Sequence, residues 1–377
     1  MIPITRPRIG EEEARAAGEA ILSGWLSQGQ RVLHFEEAVA RYVGAPHAVA
    51  TSNCTTALHL ALIAAGVGRG DQVICPSFTF IATANAVLHA GAEPVFVDID
   101  PDTYNLDPEK VEAALTPRTR AIIPVDQIGL AADIPAIVDI ARRRGLVVVE
   151  DAAPSLGATV GERRVGALSD FTCFSFHPRK SITTGEGGMI TTANAEAAAR
   201  LRRLRSHGAS TSDLSRHRSG TLDFEEYAEP GFNYRMTDVQ AAIGLVQMGR
   251  LDDILAERRS LALRYIERLG GLEGVVAPTE PAGRRHTFQS FCLRLPSGTR
   301  PRVMAHLAEA GIASRRGVMA VHLEPVYRAI WPDVRLPETE RAAADTLLLP
   351  LFAGMTVEEQ DQVVEALVQS LRSAAAA

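Results

Sequence analysis

One lysine in this sequence stands where a reactive amine could be held. Residues 172–176 alternate polar and apolar side chains, which is typical of a strand with two different faces. Pro178 ends that strand because its ring fixes φ and removes a donor, and Lys180 follows in a polar turn. A lysine over a pocket at such a junction is partly desolvated, so its pKa falls and it supplies the free amine that a Schiff base requires. The alternative is an ordinary exposed lysine in a hairpin.

The composition is that of a globular enzyme without a nucleic-acid footprint. The 377 residues fit one large and one smaller domain, with 46% hydrophobic and 22% charged residues. The net charge of −6 and the lack of a long basic cluster argue against nucleic acid. No apolar run is long enough to span a membrane, and the first residues lack the apolar core of a signal peptide. The four cysteines have no metal-ligand spacing, so we expect a cytoplasmic protein with reduced thiols and no metal.

Short apolar runs alternate with helical segments up to residue 192. Such alternation implies right-handed crossovers and an α/β fold with a seven-stranded, mostly parallel sheet. Ligands of these sheets bind beyond the carboxyl ends of the strands. The seven runs are 47–51, 72–76, 94–98, 121–125, 146–150, 173–176 and 189–192.

The pattern changes after the seventh run. Residues 208–230 form a long polar segment that contains Arg216 and Arg218, and loops of this length are usually functional or disordered. Strands and helices alternate again towards the end of the chain. We therefore predict a large domain over residues 1–250 and a small α+β domain over residues 251–377.

Two further groups fall at the same predicted sheet edge as the lysine. Ser52 to Thr56 place small polar residues at the start of a helix, where N–H groups and hydroxyls can cradle a phosphate. Asp151 follows a buried strand, and a carboxylate there can pair with the protonated ring nitrogen of pyridoxal phosphate (PLP). Simple helix capping is the alternative for both. Together with Lys180, the three groups indicate a PLP site.

With these residues, the whole chain resembles the DegT/DnrJ-type nucleotide-sugar aminotransferases, which are PLP-dependent enzymes of fold type I. The matching stretches extend from the beginning of the chain to about residue 250, and the lysine and asparagine motifs are specific, whereas the last third matches loosely. The stretches are GWLSQG, SNCTTALHLAL, PSFTFIATANAV, EPVFVDIDPDTYNLDP, EDAAPSLGA, FSFHPRKSITTGEGGMI and GFNYRMTDVQAAIGLVQ.

The resemblance implies a role for each matching position. Lys180 would form the Schiff base and move the proton, and Asp151 would hold the pyridine nitrogen. The other cofactor contacts would be an aromatic ring against the cofactor face and a set of phosphate ligands, one of them supplied by the partner in a homodimer. These residues are Phe80 for the ring, Cys54 (through its backbone), Thr55 and Ser175 for the phosphate, and Asn233 from the partner subunit.

Two positions depart from the family pattern. Pro154 stands where relatives usually have a glutamine that binds the ring hydroxyl, and residues 125–129 lack a histidine that relatives often carry. Both changes concern the hydrogen bonds around the cofactor. The candidate substrate contacts are Trp25, His177, Arg216, Arg218 and His322. Core packing is the alternative for Trp25 and His322, and solvation of a loop is the alternative for the two arginines.

The resemblance implies an aminotransferase that takes an amino group from an amino acid, glutamate in the first place, and passes it to a keto sugar on a nucleotide diphosphate. A PLP-dependent sugar dehydratase is one alternative, but relatives that dehydrate replace the Schiff-base lysine by histidine, and Lys180 is present here. The other alternative is a regulatory protein that binds PLP without turnover. Conversion of PLP to pyridoxamine phosphate by glutamate would distinguish an enzyme from such a regulator.

Overall fold

The structure, a computed structural model, describes residues 1–210 and 226–375 and is organised around a seven-stranded sheet. Its strand order is β1-β9-β8-β5-β4-β2-β3, and β9 is the strand that runs antiparallel to its neighbours. The predicted α/β fold with a mostly parallel sheet is thereby confirmed. The strands of the described ranges are β1 His47–Thr51, β2 Gln72–Pro76, β3 Glu93–Val97, β4 Thr119–Ile122, β5 Val147–Asp151, β6 Thr159–Val160, β7 Arg163–Arg164, β8 Phe171–Ser175, β9 Gly188–Thr192, β10 Arg284–Arg285, β11 Phe291–Arg294, β12 Arg315–Arg316 and β13 Thr346–Leu349.

Helices cover the sheet, and their ends carry the expected capping residues. Asn53, Asp133 and Thr237 accept backbone N–H bonds at three helix starts, and Gly145 ends a helix in the left-handed region with φ of 64°. The helices of the described ranges are α1 Glu11–Leu22, α2 Gln30–Val43, α3 Cys54–Ala64, α4 Ala82–His89, α5 Pro108–Ala113, α6 Ile134–Arg144, α7 Ala195–Leu204, α8 Asp238–Met248, α9 Leu251–Leu269, α10 Arg300–Glu309, α11 Pro325–Arg328, α12 Pro337–Asp345 and α13 Val357–Ala375.

Burial on both faces explains why the central strands are apolar throughout. All five residues of β2 are buried, as expected for a parallel strand covered by helices on each side. Helix α3 is likewise apolar on most of its surface, and it packs against α4, β8 and β9. This packing fixes the first turn of α3 at the edge where β1, β5 and β8 end.

A second hydrophobic cluster lies around the three-stranded sheet β11-β13-β12 and helices α9, α10 and α13. Ile2 belongs to this cluster: its N–H donates to Gly311 O at 2.8 Å, and Ala313 N–H donates to Ile2 O at 2.9 Å. The division at residue 250 remains a prediction, but Ile2 packs with residues 262–367, which fall in the predicted small domain. In the described ranges, no helix is both long enough and apolar enough to cross a membrane.

Candidate active site

A cavity of about 1080 Å³ opens at the carboxyl ends of β1, β5 and β8. Because parallel strands end at one edge of a sheet, residues far apart in sequence meet there. Predicted cofactor residues and one substrate candidate share its walls. They are Cys54, Thr55, Phe80, Asp151, Ser175, His177 and Lys180.

Lys180 is held by the turn that follows β8. Its N–H donates to His177 O at 2.8 Å, and the N–H of Arg179 donates to the Nδ1 of His177 at 3.2 Å. The side chain is half-buried on the cavity wall. Burial lowers the pKa of the Lys180 amine, while the negative charge of Asp151 opposes this shift. The arrangement favours a larger fraction of the free amine than an exposed lysine has, as a nucleophile requires.

Asp151, the last residue of β5, is the buried carboxyl group of the cavity. Thr83 Oγ1 donates to its Oδ2 at 2.7 Å, and the N–H of Ala153 donates to its Oδ1 at 3.2 Å. Burial raises the pKa of Asp151 above its ordinary value, and the hydrogen bond from Thr83 and the charge of Lys180 limit this rise. The donors therefore favour an anionic carboxylate that can hold a cationic partner in the cavity.

The first turn of α3 forms an anion cradle. The side chain of Asn53 accepts the N–H of Thr56 at 2.9 Å. Cys54 and Thr55 begin the helix, so no carbonyl within the helix can accept their N–H groups. These N–H groups, the positive end of the helix and the nearby Ser175 provide a phosphate site.

Two contacts shape this cradle. A Cβ on Gly188 would lie 2.3 Å from Asn53 O, so glycine is required for β9 to pack against the turn. The Cys54 thiol is buried and donates to Cys173 O at 3.7 Å, and burial raises its pKa well above the usual value. Burial therefore disfavours the thiolate form, which leaves the backbone N–H of Cys54 as the group suited to an anion.

The residues of the cavity fit PLP group by group. Lys180 would provide an amine for the aldehyde, Asp151 a carboxylate for the ring nitrogen, and the first turn of α3 N–H donors for the phosphate. Phe80 lines the same cavity with 62% of its surface exposed, so its ring is available to a flat ligand. The fold and this set of side chains define a PLP-dependent enzyme.

Two of the five candidate substrate contacts, Trp25 and His322, lie outside the cavity lining. Trp25 is half-buried outside the cavity lining, and its Nε1 donates to Gln28 O at 3.2 Å. Arg216 and Arg218 lie outside the described residues. His322 is buried: Nδ1 lies 2.7 Å from Ser77 Oγ, and Nε2 lies 3.2 Å from Glu340 Oε1.

The positions that depart from the family pattern, and Asn233, are also placed by the structure. Pro154 lines the cavity, and its carbonyl accepts the Thr287 hydroxyl at 3.1 Å. Gln127 lines it too, and its amide donates to Phe78 O. Asn233 is exposed and stands beside Tyr234, which lines the cavity.

Sequence reasoning missed several residues of the site. Thr83 contacts Asp151 directly. In the sequence, the only indication of this role is that a hydroxyl residue stands near the start of a helix at the sheet edge. Arg315 and Arg316 reach the cavity from β12 in the predicted small domain. No local pattern could assign these two arginines to the site. Their position depends on the pairing of β12 with β13 and on how the sheet β11-β13-β12 packs.

Comparison with known proteins gives the family. The profile described as the DegT/DnrJ/EryC1/StrS aminotransferase family matches residues 7–368. The chain is 44% identical over 377 residues to GDP-perosamine synthase from Caulobacter vibrioides, covering 98% of each protein. Its fold matches aminotransferase TlmJ from Streptoalloteichus hindustanus with a TM-score of 0.93 at 33% identity, covering 100% of each chain. It matches the PLP form of Spr1654 from Streptococcus pneumoniae with a TM-score of 0.92 at 28% identity, covering 99% of each chain.

The chain belongs to the DegT/DnrJ/EryC1/StrS aminotransferase family. It is a PLP-dependent aminotransferase, as the resemblance implied. The expectation of a PLP cofactor is confirmed with it. The roles of individual residues within the cavity remain predictions.

Proposed function

We propose that the amino acceptor is a keto sugar carried on a nucleoside diphosphate and that glutamate is the first amino donor. The observation that carries this proposal is the 44% identity to GDP-perosamine synthase over nearly the full length of both proteins. A cavity of about 1080 Å³ also suits a nucleotide sugar, because it lies at the upper end of small-molecule sites and exceeds what glutamate needs.

Bound PLP supplies an electron sink for the bond that breaks at the amine-bearing carbon. Lys180 would bind the cofactor through its free amine, and the same amine would take up and return the proton at the reacting carbon. Asp151 would stabilise a protonated ring nitrogen by its negative charge, and Thr83 keeps that carboxylate oriented. The donors of the α3 cradle would bind the phosphate and so position the cofactor beside Lys180.

We also infer a cytoplasmic homodimer in which Asn233 reaches the neighbouring active site. Asn233 is exposed, yet its segment is fixed: Tyr234 N–H donates to Arg205 O at 3.0 Å, and Ser52 N–H donates to Tyr234 O at 2.8 Å. A rigid, exposed amide beside the phosphate cradle suits a contact across a two-fold interface. The four cysteines are buried and unpaired, which supports a reducing compartment.

The basic side chains near the cavity suggest how the diphosphate is bound. Arg315 and Arg316 line the cavity together with the residues of the sheet edge. Arg216 and Arg218 are the candidates predicted from sequence. Cationic contacts to a remote diphosphate can orient the reacting carbonyl without affecting a small amino acid.

The test separates the two half-reactions. The enzyme in its PLP form is mixed with glutamate, and the pyridoxamine form is then mixed with keto sugars on GDP, UDP or dTDP and with simple keto acids. We expect Arg216→Ala/Arg218→Ala and Arg315→Ala/Arg316→Ala to slow the sugar half-reaction selectively. Arg142→Ala/Arg143→Ala, on the exposed end of α6, is the matched control. A higher kcat/KM for simple keto acids than for every nucleotide sugar would refute the substrate assignment.

A further inference from the structure

Two buried carboxyl groups lie near Asp151, and the reaction described above uses neither of them. Asp126 follows β4, and Glu150 precedes Asp151 in β5. Both are 0% exposed, and their side chains are within hydrogen-bonding reach of each other. Two ionised carboxylates this close in a buried site repel each other strongly, so their contact requires an explanation.

The hydrogen bonds of the two groups leave one oxygen unsatisfied. Asp126 Oδ1 accepts the N–H of Ala132 at 2.8 Å, and Asp126 Oδ2 accepts the hydroxyl of Ser155 at 2.5 Å. Glu150 Oε2 accepts the hydroxyls of Ser169 and Thr172, each at 2.8 Å. Glu150 Oε1 has no N–H or O–H donor in the described part of the chain. A fully buried carboxylate oxygen without a donor is costly.

We propose that Asp126 and Glu150 share one proton in the working enzyme and act as a positioning pair for Asp151. The proton makes a hydrogen bond between the two carboxyl groups, which gives Glu150 Oε1 its missing partner. It also limits the buried charge of Asp126, Glu150 and Asp151 to two negative charges instead of three. Asp151 can then stay ionised towards the ring nitrogen, which a third buried negative charge would oppose.

The surrounding charges agree with this assignment. Burial and the charge of Glu150 raise the pKa of Asp126 well above its usual range, and burial also raises the pKa of Glu150. The strongest charges on Asp126 are those of Glu150 and Asp151, the buried Cys173 thiol also interacts with Glu150, and the Lys180 ammonium acts on Asp151. Because the groups that act most strongly on the pair are acidic, a shared proton is what neutralises one member.

The shared proton also connects the cavity wall to the strand that carries Asp151. The N–H of Asp126 donates to Asp151 O at 3.1 Å, and the two residues that follow Asp126, Gln127 and Ile128, line the cavity. The bond from Asp126 to Glu150 therefore holds this loop against β5. At alkaline pH the shared proton is lost to solvent. The two carboxylates then repel each other, and the loop that lines the cofactor site is held less firmly.

Amide substitutions test the proposal because each imitates one protonated member. Glu150→Gln should fold because its N–H₂ group can replace Oε1, which has no donor, and donate to Asp126. Asp126→Asn should fold because its N–H₂ group can replace Oδ2 and donate to Glu150, while the Ser155 hydroxyl can rotate to accept. Asp139→Asn, on the exposed face of α6, is the matched control. The double variant Asp126→Asn/Glu150→Gln has neither the carboxylate charge nor the shared proton. Its stability should therefore differ from that of either single variant.

Infrared spectroscopy of the PLP-loaded enzyme reads the proton directly. We expect a protonated-carboxyl band at neutral pH that persists in Asp139→Asn and is absent from both single amide variants. Selective ¹³C labelling of aspartate or glutamate in the unsubstituted enzyme should shift this band, so the result does not depend on how the variants fold. Absence of the band from the unsubstituted enzyme, or its persistence in both single variants, would overturn the proposal.

The pH dependence of stability provides an independent readout in the cofactor-free protein. The pair's pKa is raised in the folded state, so its contribution is fully present below the unfolded pKa and is lost as pH rises through the folded pKa. Between these two values the unfolding equilibrium constant should rise by up to about tenfold per pH unit more than in Asp126→Asn or Glu150→Gln. Alkali should likewise speed PLP release from the unsubstituted holoenzyme more than from either variant. Equal pH dependence in all the proteins would show that no proton is shared.

Discussion

Replacing Thr83 by valine should raise the pKa of Asp151 and shift the acidic limb of the pH–rate profile to higher pH. Thr83 is fully buried, and its hydroxyl donates to Asp151 Oδ2 at 2.7 Å. Valine keeps the shape of the side chain but removes the donor that stabilises the ionised carboxylate. A larger fraction of Asp151 is then protonated at low pH, and the ring nitrogen loses its counter-charge.

The size of the shift follows from the strength of that hydrogen bond. A hydrogen bond to a charged group contributes about 1.5–3 kcal/mol. Since 1.36 kcal/mol corresponds to a factor of ten, the ratio of protonated to ionised Asp151 at a given pH should rise by about 10- to 100-fold. Thr79 Oγ1, which lies 2.8 Å from Thr83 Oγ1, also loses a partner, so a further destabilisation of about 1–3 kcal/mol is expected.

The assay is the glutamate half-reaction, followed by cofactor absorbance from acidic to neutral pH at saturating PLP. Thr83→Ser is the matched control, because it keeps the hydroxyl while losing the methyl group, and it should retain most of the original profile. Urea unfolding of each variant separates loss of stability from loss of function. If Thr83→Val binds PLP, is folded and shows an unchanged acidic limb, Thr83 does not control the ionisation of Asp151.

Three further predictions concern the nucleophile, the subunit interface and the fold. Lys180→Ala should still bind PLP weakly through the α3 cradle but lose turnover by several orders of magnitude, and steady turnover without added amines would contradict its role. Mixed dimers of Lys180→Ala and Asn233→Ala subunits should recover activity at one of two sites, and no recovery despite proven subunit exchange would exclude a shared site. Glu36→Ala should lower the free energy of unfolding by about 3–5 kcal/mol, because it leaves Arg205 buried without its carboxylate, whereas exposed Glu37→Ala should change little in the same urea titration.

Local patterns in the sequence were sufficient for the seven strands of the sheet, but not for all of their ends. The predicted runs 47–51 and 72–76 coincide with β1 and β2, because each is a short apolar segment followed by polar or helix-starting residues. The fourth run was placed at 121–125, whereas β4 spans Thr119–Ile122. Pro124 lies beyond β4 and has no N–H to donate to a strand neighbour, so apolarity alone misplaced the boundary.

Long-range contacts account for what sequence reasoning could not supply. The sequence left His322 open between substrate contact and core packing, and it could not show that the ring contacts Ser77 and Glu340. The partnership of Asp126 with Glu150 was equally hidden, since nothing local shows that the end of β4 faces a side chain of β5. Periodicity shows which face of an element is buried, but the identity of the partner depends on packing between segments far apart in sequence.

The pairing of Ile2 with residues 311 and 313 has a consequence for the order in which the protein can be completed. Ile2 is held by backbone hydrogen bonds to Gly311 and Ala313 and is packed in the second hydrophobic cluster. At a synthesis rate of about 5–20 residues per second, roughly 15–60 s separate these partners on the ribosome. During that time the residues of β1 to β9 can assemble, whereas Ile2 lacks its partners and its apolar side chain stays exposed to solvent. Ile2 is thus among the last residues to reach its folded position.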